Sequence, residues 1–516
     1  MGLSSSPDVV VVVLDCGRNV DFPGGPEPVS SMPFLESLRG ESVIFPRAVS
    51  PSAWTVPGHA SLFTGLYPWE HRVHMKSVLK LDPSLPTMAG LLKEEGYATL
   101  SLSANGFVGP EFGLLSGFDQ AAWGVWWEKF LRLPDRREPI ESTWGPGKAR
   151  PADPSGVQPS QERDQGPGRG RGVAFRFAHS LVKGKDPVWM GPLANALNLG
   201  VQRVRAASPG NRFPISPWIE PTLSRWLRAR RPEERIFCFV NFLEPHEPYI
   251  VDSHQMSNPW TWGRYALQRT DKASFYAGRW RPSRAEFRRL RTLYRSSLGS
   301  LDARLRTIVE TLRAAGRWEN TLFIVTGDHG QAFGEHGYLF HAARIWEPVV
   351  RVPLWVRWPR GAGGGGTGTG WASLIDILPT VLEATGISRS LSPVHHSLST
   401  LISAERPEPV YTMADGLQGK AQVERIAPQC VPTWDTPWVA GYSGRSKLLF
   451  DVEHDRWSAY EVESDPREER DLFPPDPGRW GALAEGVRLS ASRLTMDPPK
   501  AVTADVDALL KSWGYD

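Results

Sequence analysis

Two runs of consecutive apolar residues, rich in β-branched side chains, predict buried strands of a parallel sheet. Residues 9–14 form the first run and residues 321–325 the second, and each leads to an acid, Asp15 in one case and Asp328 in the other. In open α/β sheets, ligands bind at the carboxyl ends of the strands. The pattern therefore predicts two carboxylates at the ligand-binding edge of one sheet.

Apolar residues at helical spacing predict the helices that cover this sheet. The clearest case is residues 294–316, where leucine, isoleucine and valine share one face and Gly316 ends the pattern. Further helices are predicted at residues 33–40, 88–95, 371–386 and about 479–494, and a further strand at residues 97–103. Strands alternating with helices indicate an α/β fold, with a mostly parallel sheet between helical layers.

The chain is expected to divide into a large and a smaller domain, because its 516 residues exceed what one hydrophobic core usually contains. We assign residues 1–386 to the large domain and residues 387–516 to the smaller one. The smaller one contains short strand candidates separated by turns, at residues 439–442, 447–451 and 458–462. This pattern predicts an α+β subdomain packed on the large domain.

Two segments show no hydrophobic period. Residues at about 137–172 are rich in proline, glycine and charge, which predicts a flexible insertion. Residues 361–370, with the sequence GAGGGGTGTG, predict a mobile loop. This loop lacks the Gly-Lys-Ser/Thr ending of a phosphate loop, so we do not expect it to bind a nucleotide.

The charge balance gives no reason to expect a nucleic-acid partner. The formal net charge is only +3, from 59 basic and 56 acidic residues. Arginine-rich runs at residues 225–231 and 284–291 are typical of the solvated face of a helix. Nucleic acid is therefore not among the partners that we expect.

The three cysteines are too few for a disulfide framework and show no metal-binding CxxC spacing. Cys16 and Cys238 lie in or beside apolar runs, so we interpret them as small buried hydrophobic residues. The N-terminus lacks the basic start and long apolar stretch of a secretory signal. Residues 9–14 are too few to cross a bilayer, which needs about 20 apolar residues. We expect a cytoplasmic protein without a membrane span.

The segment WTVPGHASLFTGLYPWEHRV, residues 54–73, places Thr55 between a tight turn and the start of a helix. Together with Asp15, Asp328 and His329, it forms a set of oxygen and nitrogen ligands that suits Zn²⁺ or Mn²⁺, with Ca²⁺ or Mg²⁺ also open, and no thiolate is offered. A bound ion would convert the threonine hydroxyl into a nucleophile. Taken singly, an Asp-His-Gly turn or a Thr near a Pro is also common in loops, so these residues are persuasive only together.

On these residues the chain resembles the sulfatase branch of the alkaline phosphatase superfamily. The segment TVPGHASLFTGLYP at residues 55–68 is similar to the nucleophile segment of that family. EPHEPY at residues 244–249, GDHG at 327–330 and GEHG at 334–337 resemble further motifs. The resemblance spans nearly the whole chain outside the insertion. It implies an alkaline phosphatase-like fold and an ester hydrolase that acts on a small anionic substrate.

One departure from that family concerns the nucleophile. Sulfatases that use formylglycine have Cys or Ser, then Pro two places on and Arg four places on, where this chain has Thr55, Pro57 and His59. Threonine cannot become formylglycine, so that mechanism is excluded. The Thr-x-Pro-x-His pattern instead resembles nucleotide pyrophosphatases/phosphodiesterases, in which threonine attacks phosphorus.

The expected number of metal ions follows from a second departure. The two-zinc site of those phosphodiesterases uses a Pro-Asp-x-x-Gly-His element, and the corresponding region here offers only Glu244 and His246. The remaining ligand set is similar to the single-metal site of phosphoethanolamine transferases and lipoteichoic acid synthases. The resemblance implies one tightly bound divalent ion, with a weaker second ion left open.

The resemblance also implies roles for other side chains. His246 and His341 are candidates for binding the oxyanion and protonating the leaving group, and His341 stands where many sulfatases have lysine. Arg18, His59 and His336 are candidates for substrate contact, with structural roles as the alternative.

The function that we predict is metal-dependent hydrolysis of phosphate esters, phosphate diesters or sulfate esters through Thr55, with phosphate preferred because the nucleophile is threonine. Two alternatives stay open. One is transfer of a phospho group to an acceptor other than water, and the other is an inactive relative that binds an anion.

Overall fold

The computed structural model describes residues 6–124, 216–249 and 270–495, except for residues 30, 76, 78, 363, 390–395, 418–419 and 474–476. The insertion predicted at about 137–172 lies outside the described residues. The described strands are β1 (Asp8–Leu14), β2 (Val43–Ile44), β3 (Ala48–Val49), β4 (Ala98–Ser103), β5 (Gln120–Trp123), β6 (Ile236–Phe242), β7 (Thr321–Thr326), β8 (Ala332–Phe333), β9 (Leu339–Phe340), β10 (Leu354–Arg357), β11 (Gly366–Thr367), β12 (Ala372–Ser373), β13 (Val410–Ala414), β14 (Trp438–Ser443), β15 (Ser446–Asp451) and β16 (Arg456–Glu461).

The described α-helices are α1 (Pro33–Ser37), α2 (Thr55–Thr64), α3 (Pro68–His71), α4 (Met88–Glu94), α5 (Ile219–Arg228), α6 (Lys272–Tyr276), α7 (Arg284–Ala314), α8 (Glu347–Val350), α9 (Ile377–Thr385), α10 (Lys420–Ile426), α11 (Val431–Trp434) and α12 (Pro477–Thr495). Within the described ranges, no helix is long and apolar enough to cross a membrane.

The central sheet has eight strands in the order β11-β2-β10-β7-β1-β6-β4-β5. The five strands from β7 to β5 are parallel to one another, and β10 pairs antiparallel with both of its neighbours. Strand β1 lies at the centre, with Val12 opposite Val325 on one side and Val240 on the other. The mostly parallel sheet predicted from the sequence is confirmed.

Both faces of the sheet are buried. Successive side chains of β1 point to opposite faces and therefore enter two different cores. Val10 and Val12 pack into a core that includes α7 and α5, whereas Val9 and Val11 pack into a second core that includes α2, α4 and α9. Strands covered on both faces read as continuous apolar runs, which is the pattern seen in residues 9–14.

Helix α7 covers much of one face and begins ten residues earlier than predicted. The apolar spacing predicts a helix from residue 294, but the structure begins it at Arg284. Ser283 accepts a hydrogen bond from the backbone of Glu286, and the Glu286 side chain bonds back to the cap, which forms a capping box. The arginine-rich first turns are thus part of the same helix.

The glycine-rich segment and the segment after it also differ from the prediction. Gly366 and Thr367 of residues 361–370 form the edge strand β11, which pairs parallel with β2. Residues 371–386, predicted as one helix, contain β12, a short 3-10 turn and then α9. Strand pairing of β12 with β3 prevents the helix from starting before residue 374.

A smaller antiparallel sheet, in the order β13-β14-β15-β16, forms the C-terminal subdomain with α12 packed on it. Its last three strands lie within two residues of the predicted bounds. The α+β character of the subdomain is therefore confirmed, whereas the boundary at residues 386–387 stays a prediction.

A buried ionic cluster ties this subdomain to the large sheet domain. The Lys447 ammonium donates to the Ile345 carbonyl at 2.7 Å, to Glu347 at 3.2 Å and to Glu468 at 2.7 Å, and its side chain has no solvent exposure. The Tyr442 hydroxyl donates to the same Glu347 carboxylate at 2.7 Å. Glu347 also pairs with Arg351 at 2.9 Å, whereas Lys447 is the cation paired with Glu468 among the described residues.

Replacing Lys447 by methionine is expected to lower the free energy of unfolding by about 3–5 kcal/mol, because it leaves the buried Glu468 carboxylate without its cation. Lys420→Met is the matched control, since Lys420 is half exposed where it pairs with Asp435, and should cost under about 1 kcal/mol. Denaturant unfolding measures both. Equal losses for the two variants would contradict the role given to the cluster.

Candidate active site

Polar residues converge at the carboxyl edge of the central sheet. The strands β7, β1, β6 and β4 are neighbours in the sheet and parallel, so their carboxyl ends meet at one edge. Asp328 follows β7, Asp15 follows β1, His246 follows β6 and Asn105 follows β4. This edge is where ligands bind in open α/β sheets.

Thr55 is the first residue of α2 and is 1% exposed. Its hydroxyl oxygen Oγ1 lies 3.2 Å from Nε2 of His329. The helix comes close to the loop after β7, since a Cβ added at Gly58 would lie 3.0 Å from the Asp328 carbonyl oxygen. Because Gly58 has no side chain, α2 can approach this loop closely, which places the Thr55 hydroxyl beside Asp328 and His329.

The ring of His329 is held in one orientation and one tautomer. Its Nδ1 donates to the carbonyl of Gly330 at 2.9 Å, so the lone pair is on Nε2. That nitrogen lies 3.5 Å from Oδ2 of Asp328 and 3.9 Å from Oδ1 of Asp15. The structure therefore brings together Asp15, Thr55, Asp328 and His329, the four metal ligands predicted from the sequence.

In each of the two carboxylates, one oxygen accepts hydrogen bonds from the protein and the other accepts none from the described residues. Asp15 accepts a hydrogen bond from Asn105 on Oδ2, and Asp328 accepts the backbone N–H groups of Cys16 and His329 on Oδ1. Asp15 Oδ1 and Asp328 Oδ2 have no hydrogen-bond partner among the described residues, although both are buried. Buried charges are normally paired or coordinate a metal.

The electrostatics of the two carboxylates fit a cation-binding site. Burial, together with the charge of Asp328, raises the pKa of Asp15 to about 6. Burial also raises the pKa of Asp328 to about 7. With two acceptor oxygens, an imidazole nitrogen and a hydroxyl directed at one another, the donor set fits a divalent ion, which would neutralise both acids.

His341 and His246 lie beside this group, and each ring donates a hydrogen bond from Nδ1. The Nδ1 of His341 donates to Oε1 of Gln331 at 2.7 Å, and the Nδ1 of His246 donates to the carbonyl of Glu247 at 2.7 Å. The His341 ring lies 4.4 Å from the His329 ring and 5.1 Å from the His246 ring, measured between centroids. Burial and the charge of Lys272 hold the pKa of His341 well below its ordinary value, so this ring is neutral.

Gln331 joins these groups and was not predicted from the sequence. Its Nε2 donates to Glu247 at 3.1 Å and to the hydroxyl of Tyr249 at 2.7 Å, which fixes the orientation of the amide. The opposite end, Oε1, accepts from His341 and from the thiol of Cys16. The amide therefore determines the tautomer of His341.

The same amide bears on the second metal ion that the sequence left open. Ligand atoms of Cys16, His246, Glu247 and His341 all lie within 4.8 Å of one another. Glu247 and His341, however, are hydrogen-bonded to Gln331, and Glu247 is also ion-paired with Lys272 at 2.5 Å. The ligand atoms of this cluster are thus largely occupied by hydrogen bonds to the Gln331 amide and by the ion pair with Lys272. We therefore propose no second ion there.

The surroundings of Cys16 are more polar than its place after an apolar strand indicates. The residue is fully buried, as predicted, but its thiol lies among polar groups, 3.7 Å from both Gln331 Oε1 and His341 Nδ1. Its sulfur also lies within 4.8 Å of ligand atoms of Asp15 and His329. The Cys16 sulfur is therefore close to the predicted oxygen and nitrogen ligands, and the expectation that the site uses no thiolate stays a prediction.

The three candidate substrate-contact residues occupy different surroundings. Arg18 is buried and paired with Asp21 at 2.9 Å and Glu335 at 2.8 Å. His336 is exposed, stacks on Trp346 and bonds to the carbonyl of Arg467. The Arg18 guanidinium is thus paired with two carboxylates, and the His336 ring contacts Trp346 and the Arg467 backbone.

His59 lies one turn after Thr55 in α2. Its Nδ1 donates to the Thr55 carbonyl at 2.9 Å and lies 3.6 Å from Asp328 Oδ2. The ring packs edge-on against Phe239, and burial lowers its pKa to about 4. His59 therefore supports the backbone of Thr55 as a neutral ring.

Known families and proteins resemble this chain over most of its length. The family model described as Sulfatase matches residues 7–387. A choline-sulfatase from Rhizobium meliloti (strain 1021) is 25% identical over 483 residues, which cover 90% of this chain and 84% of that protein.

Solved structures show the same fold. The phosphonate monoester hydrolase of Agrobacterium radiobacter superposes with a TM-score of 0.60 at 18% identity, covering 95% of each chain. BT4656, in complex with its substrate D-glucosamine-2-N,6-O-disulfate, superposes with a TM-score of 0.63 at 14% identity, covering 96% of this chain and 100% of that one.

Proposed function

The chain belongs to the sulfatase family, whose members are hydrolases that act on ester bonds, and we propose that it is a metal-dependent hydrolase with Thr55 as its nucleophile. Its substrates in this proposal are small phosphate esters, phosphate diesters or sulfate esters, with phosphate preferred. The observation that supports this most directly is the contact of 3.2 Å between the Thr55 hydroxyl and Nε2 of His329. Beside it lie two buried carboxylate oxygens that have no hydrogen-bond partner in the part of the chain that the structure describes.

In this proposal one divalent ion is held by Asp15, Thr55, Asp328 and His329. When bound, the ion supplies positive charge that lowers the pKa of the threonine hydroxyl and stabilises charge on the substrate oxygens. The protein contributes the orientation of its ligands. Asn105 fixes the Asp15 carboxylate, and the Gly330 carbonyl fixes the His329 ring, as expected for partners behind metal ligands.

Thr55 attacks in line with the leaving group. The bond from Oγ1 to phosphorus forms while the bond from phosphorus to the ester oxygen breaks. The Thr55 hydroxyl loses its proton and the leaving oxygen gains one, which gives a threonyl phosphate and an alcohol or phenol. The position of Thr55 at the start of α2 also favours an anion, because the positive end of the helix dipole is directed at the substrate. Water then cleaves the threonyl ester and restores the hydroxyl.

The hydrogen bonds at Nδ1 favour a different step for His341 and His246 from the one predicted. An imidazole whose Nδ1 is the donor offers a lone pair on Nε2, and such a nitrogen accepts a proton more readily than it binds an oxyanion. We therefore give His341 and His246 the task of removing a proton from the attacking water in the second step. In the same scheme Arg18, His59 and His336 are structural.

Threonine is the reason for preferring phosphate over sulfate. The aldehyde hydrate of formylglycine can release sulfate by breaking a carbon–oxygen bond, whereas a threonyl ester must be hydrolysed at the central atom. Water can cleave a phosphate ester by in-line displacement at phosphorus. A positioned oxygen nucleophile and a cation both assist this reaction.

A substrate screen tests the proposal. The metal-free protein, loaded in turn with Zn²⁺, Mn²⁺, Mg²⁺ and Ca²⁺, is expected to hydrolyse aryl phosphate monoesters or diesters faster than aryl sulfates, and chelation should abolish turnover. Faster cleavage of sulfate would overturn the preference for phosphate. Absence of turnover on every ester, with metal bound, would favour the inactive anion-binding relative instead.

A further inference from the structure

We propose that Cys16 is a further ligand of the ion in this site, bound through its thiolate, and that it makes the site selective for thiophilic divalent metals such as Zn²⁺ over Mg²⁺ and Ca²⁺. This inference rests on the metal site of the proposed function and adds the class of metal to it.

The position of the sulfur is the first argument. Cys16 follows Asp15 directly, and its sulfur lies within 4.8 Å of the ligand atoms of Asp15 and His329. Residues whose ligand atoms approach one another this closely can reach a common ion with small side-chain rotations, since metal–sulfur and metal–nitrogen distances are about 2.3 Å and 2.0–2.1 Å for zinc.

The backbone that presents the sulfur is fixed from several sides. Cys16 has a φ of 58°, in the left-handed region that residues with a side chain seldom adopt. Its N–H donates to Asp328 Oδ1 at 3.3 Å, and its carbonyl accepts from the hydroxyl of Tyr294 at 3.0 Å. Strained conformations of this kind cluster at ligand sites, where the surrounding structure holds them in place.

An independent observation points to a cation at the same place. Asp15 Oδ1 and Asp328 Oδ2 are completely buried acceptors without a hydrogen-bond partner in the described part of the chain. The Cys16 sulfur lies within 4.8 Å of a carboxylate oxygen of Asp15 and a ring nitrogen of His329, and Asp328 Oδ2 lies 3.5 Å from Nε2 of the same ring. Two carboxylates, one imidazole and one thiolate form a mixed donor set of the kind that zinc accepts.

Binding of the sulfur replaces weak contacts with a metal bond. Without an ion, the S–H group donates to Gln331 Oε1 over 3.7 Å, a weak interaction. On binding, the S–H bond breaks, its proton passes to solvent and the sulfur lone pair forms the bond to the ion. Soft thiolate ligands favour Zn²⁺, Co²⁺ and Cd²⁺, whereas hard Mg²⁺ and Ca²⁺ prefer oxygen, so the sulfur determines the preference.

Cobalt binding tests the ligand directly. Titration of the metal-free full chain with Co²⁺ is expected to produce the near-ultraviolet absorption of a thiolate–cobalt bond in the wild type, and this band should be absent from Cys16→Ser. Cys430→Ser is the matched control, because that cysteine is half-buried against the Ala277 carbonyl, and it should keep the band.

Metal competition gives a second measurement. The ratio of Zn²⁺ to Mn²⁺ affinity is expected to fall at least ~10-fold in Cys16→Ser, since serine keeps the size of the side chain but offers a hard oxygen. If Cys16→Ser fails to fold, the double variant Cys238→Ala/Cys430→Ser, which retains Cys16 alone, must still show the cobalt band.

The outcomes separate this inference from the proposed function. A wild type that binds Co²⁺ without the thiolate band, or a Cys16→Ser variant with an unchanged Zn²⁺ to Mn²⁺ ratio, overturns the role of Cys16 and leaves the Thr55 mechanism standing. A wild type that binds none of these ions overturns both. A band present in the wild type and missing only when Cys16 is replaced supports the assignment.

Discussion

The valine variant of Thr55 is expected to lose roughly 10⁴-fold or more of kcat/KM for the best ester substrate, because removal of a nucleophile stops the covalent route. Valine has nearly the shape of threonine and lacks only the hydroxyl, so the buried start of α2 keeps its packing. Steady-state kinetics on metal-loaded protein measure the loss, and Thr55→Ser should retain a measurable part of the activity.

The other end of the same helix provides the control. Thr64 donates to the Ala60 carbonyl at 2.7 Å within α2, so Thr64→Val removes an equivalent hydroxyl away from the Asp-His pair. Its activity should remain within about threefold of the wild type, as for a change outside the reacting groups. Retained turnover in Thr55→Val, at the wild-type level, would rule out Thr55 as the nucleophile.

The sheet edge was predictable because its signal is local and strong. A run of six apolar residues, buried on both faces, must end where the sheet ends, and Asp15 follows it in sequence. The same reasoning applies to Asp328 after β7. Since neighbouring parallel strands end at a common edge, two separate local patterns were enough to predict where their acids lie.

The hydrogen-bonding partners within the site could not be predicted in this way. Cys16 and Gln331 are 315 positions apart, and neither belongs to a periodic pattern that would indicate contact. The apolar strand before Cys16 indicated burial correctly but gave no information about polar neighbours. A cysteine directly after a ligand-bearing strand end was the one available signal.

The errors in helix bounds have similarly specific causes. Helix α7 starts at Arg284 and is capped by Ser283 together with Glu286. Its first turns are rich in arginine and contain few apolar residues. Apolar spacing detects the part of a helix that faces the core and overlooks an exposed first turn. Pairing of β12 with β3, which connects distant parts of the chain, shortened the helix predicted at residues 371–386.

Replacing Asp328 by asparagine is expected to remove the stabilisation that the metal provides and to change how stability depends on pH. Burial raises the folded-state pKa of Asp328 to about 7, from an ordinary value of 3.8. The folded metal-free protein then binds a proton more tightly than the unfolded chain between these values. Its stability is therefore highest at low pH and falls as pH rises through about 7.

Asparagine has no proton to lose over this range, so the metal-free variant should show a flatter dependence of the free energy of unfolding between about pH 4 and pH 7. In the wild type, an ion at 100 times its Kd should add about 2.7 kcal/mol, because it binds only the folded state. In Asp328→Asn the same ion concentration should add much less, since one carboxylate ligand is gone.

Thermal or denaturant unfolding, with and without Zn²⁺ at pH 5 and pH 8, distinguishes a metal ligand from a merely buried acid. If Asp328 were a buried acid that does not bind metal, Asp328→Asn would still flatten the pH dependence of the free energy of unfolding. Zn²⁺ would then stabilise the variant and the wild type equally. Asp302→Asn is the control, because Asp302 is also buried with a raised pKa but accepts the backbone N–H groups of Phe34 and Leu35. It should keep the full response to Zn²⁺, which ties the loss in Asp328→Asn to coordination.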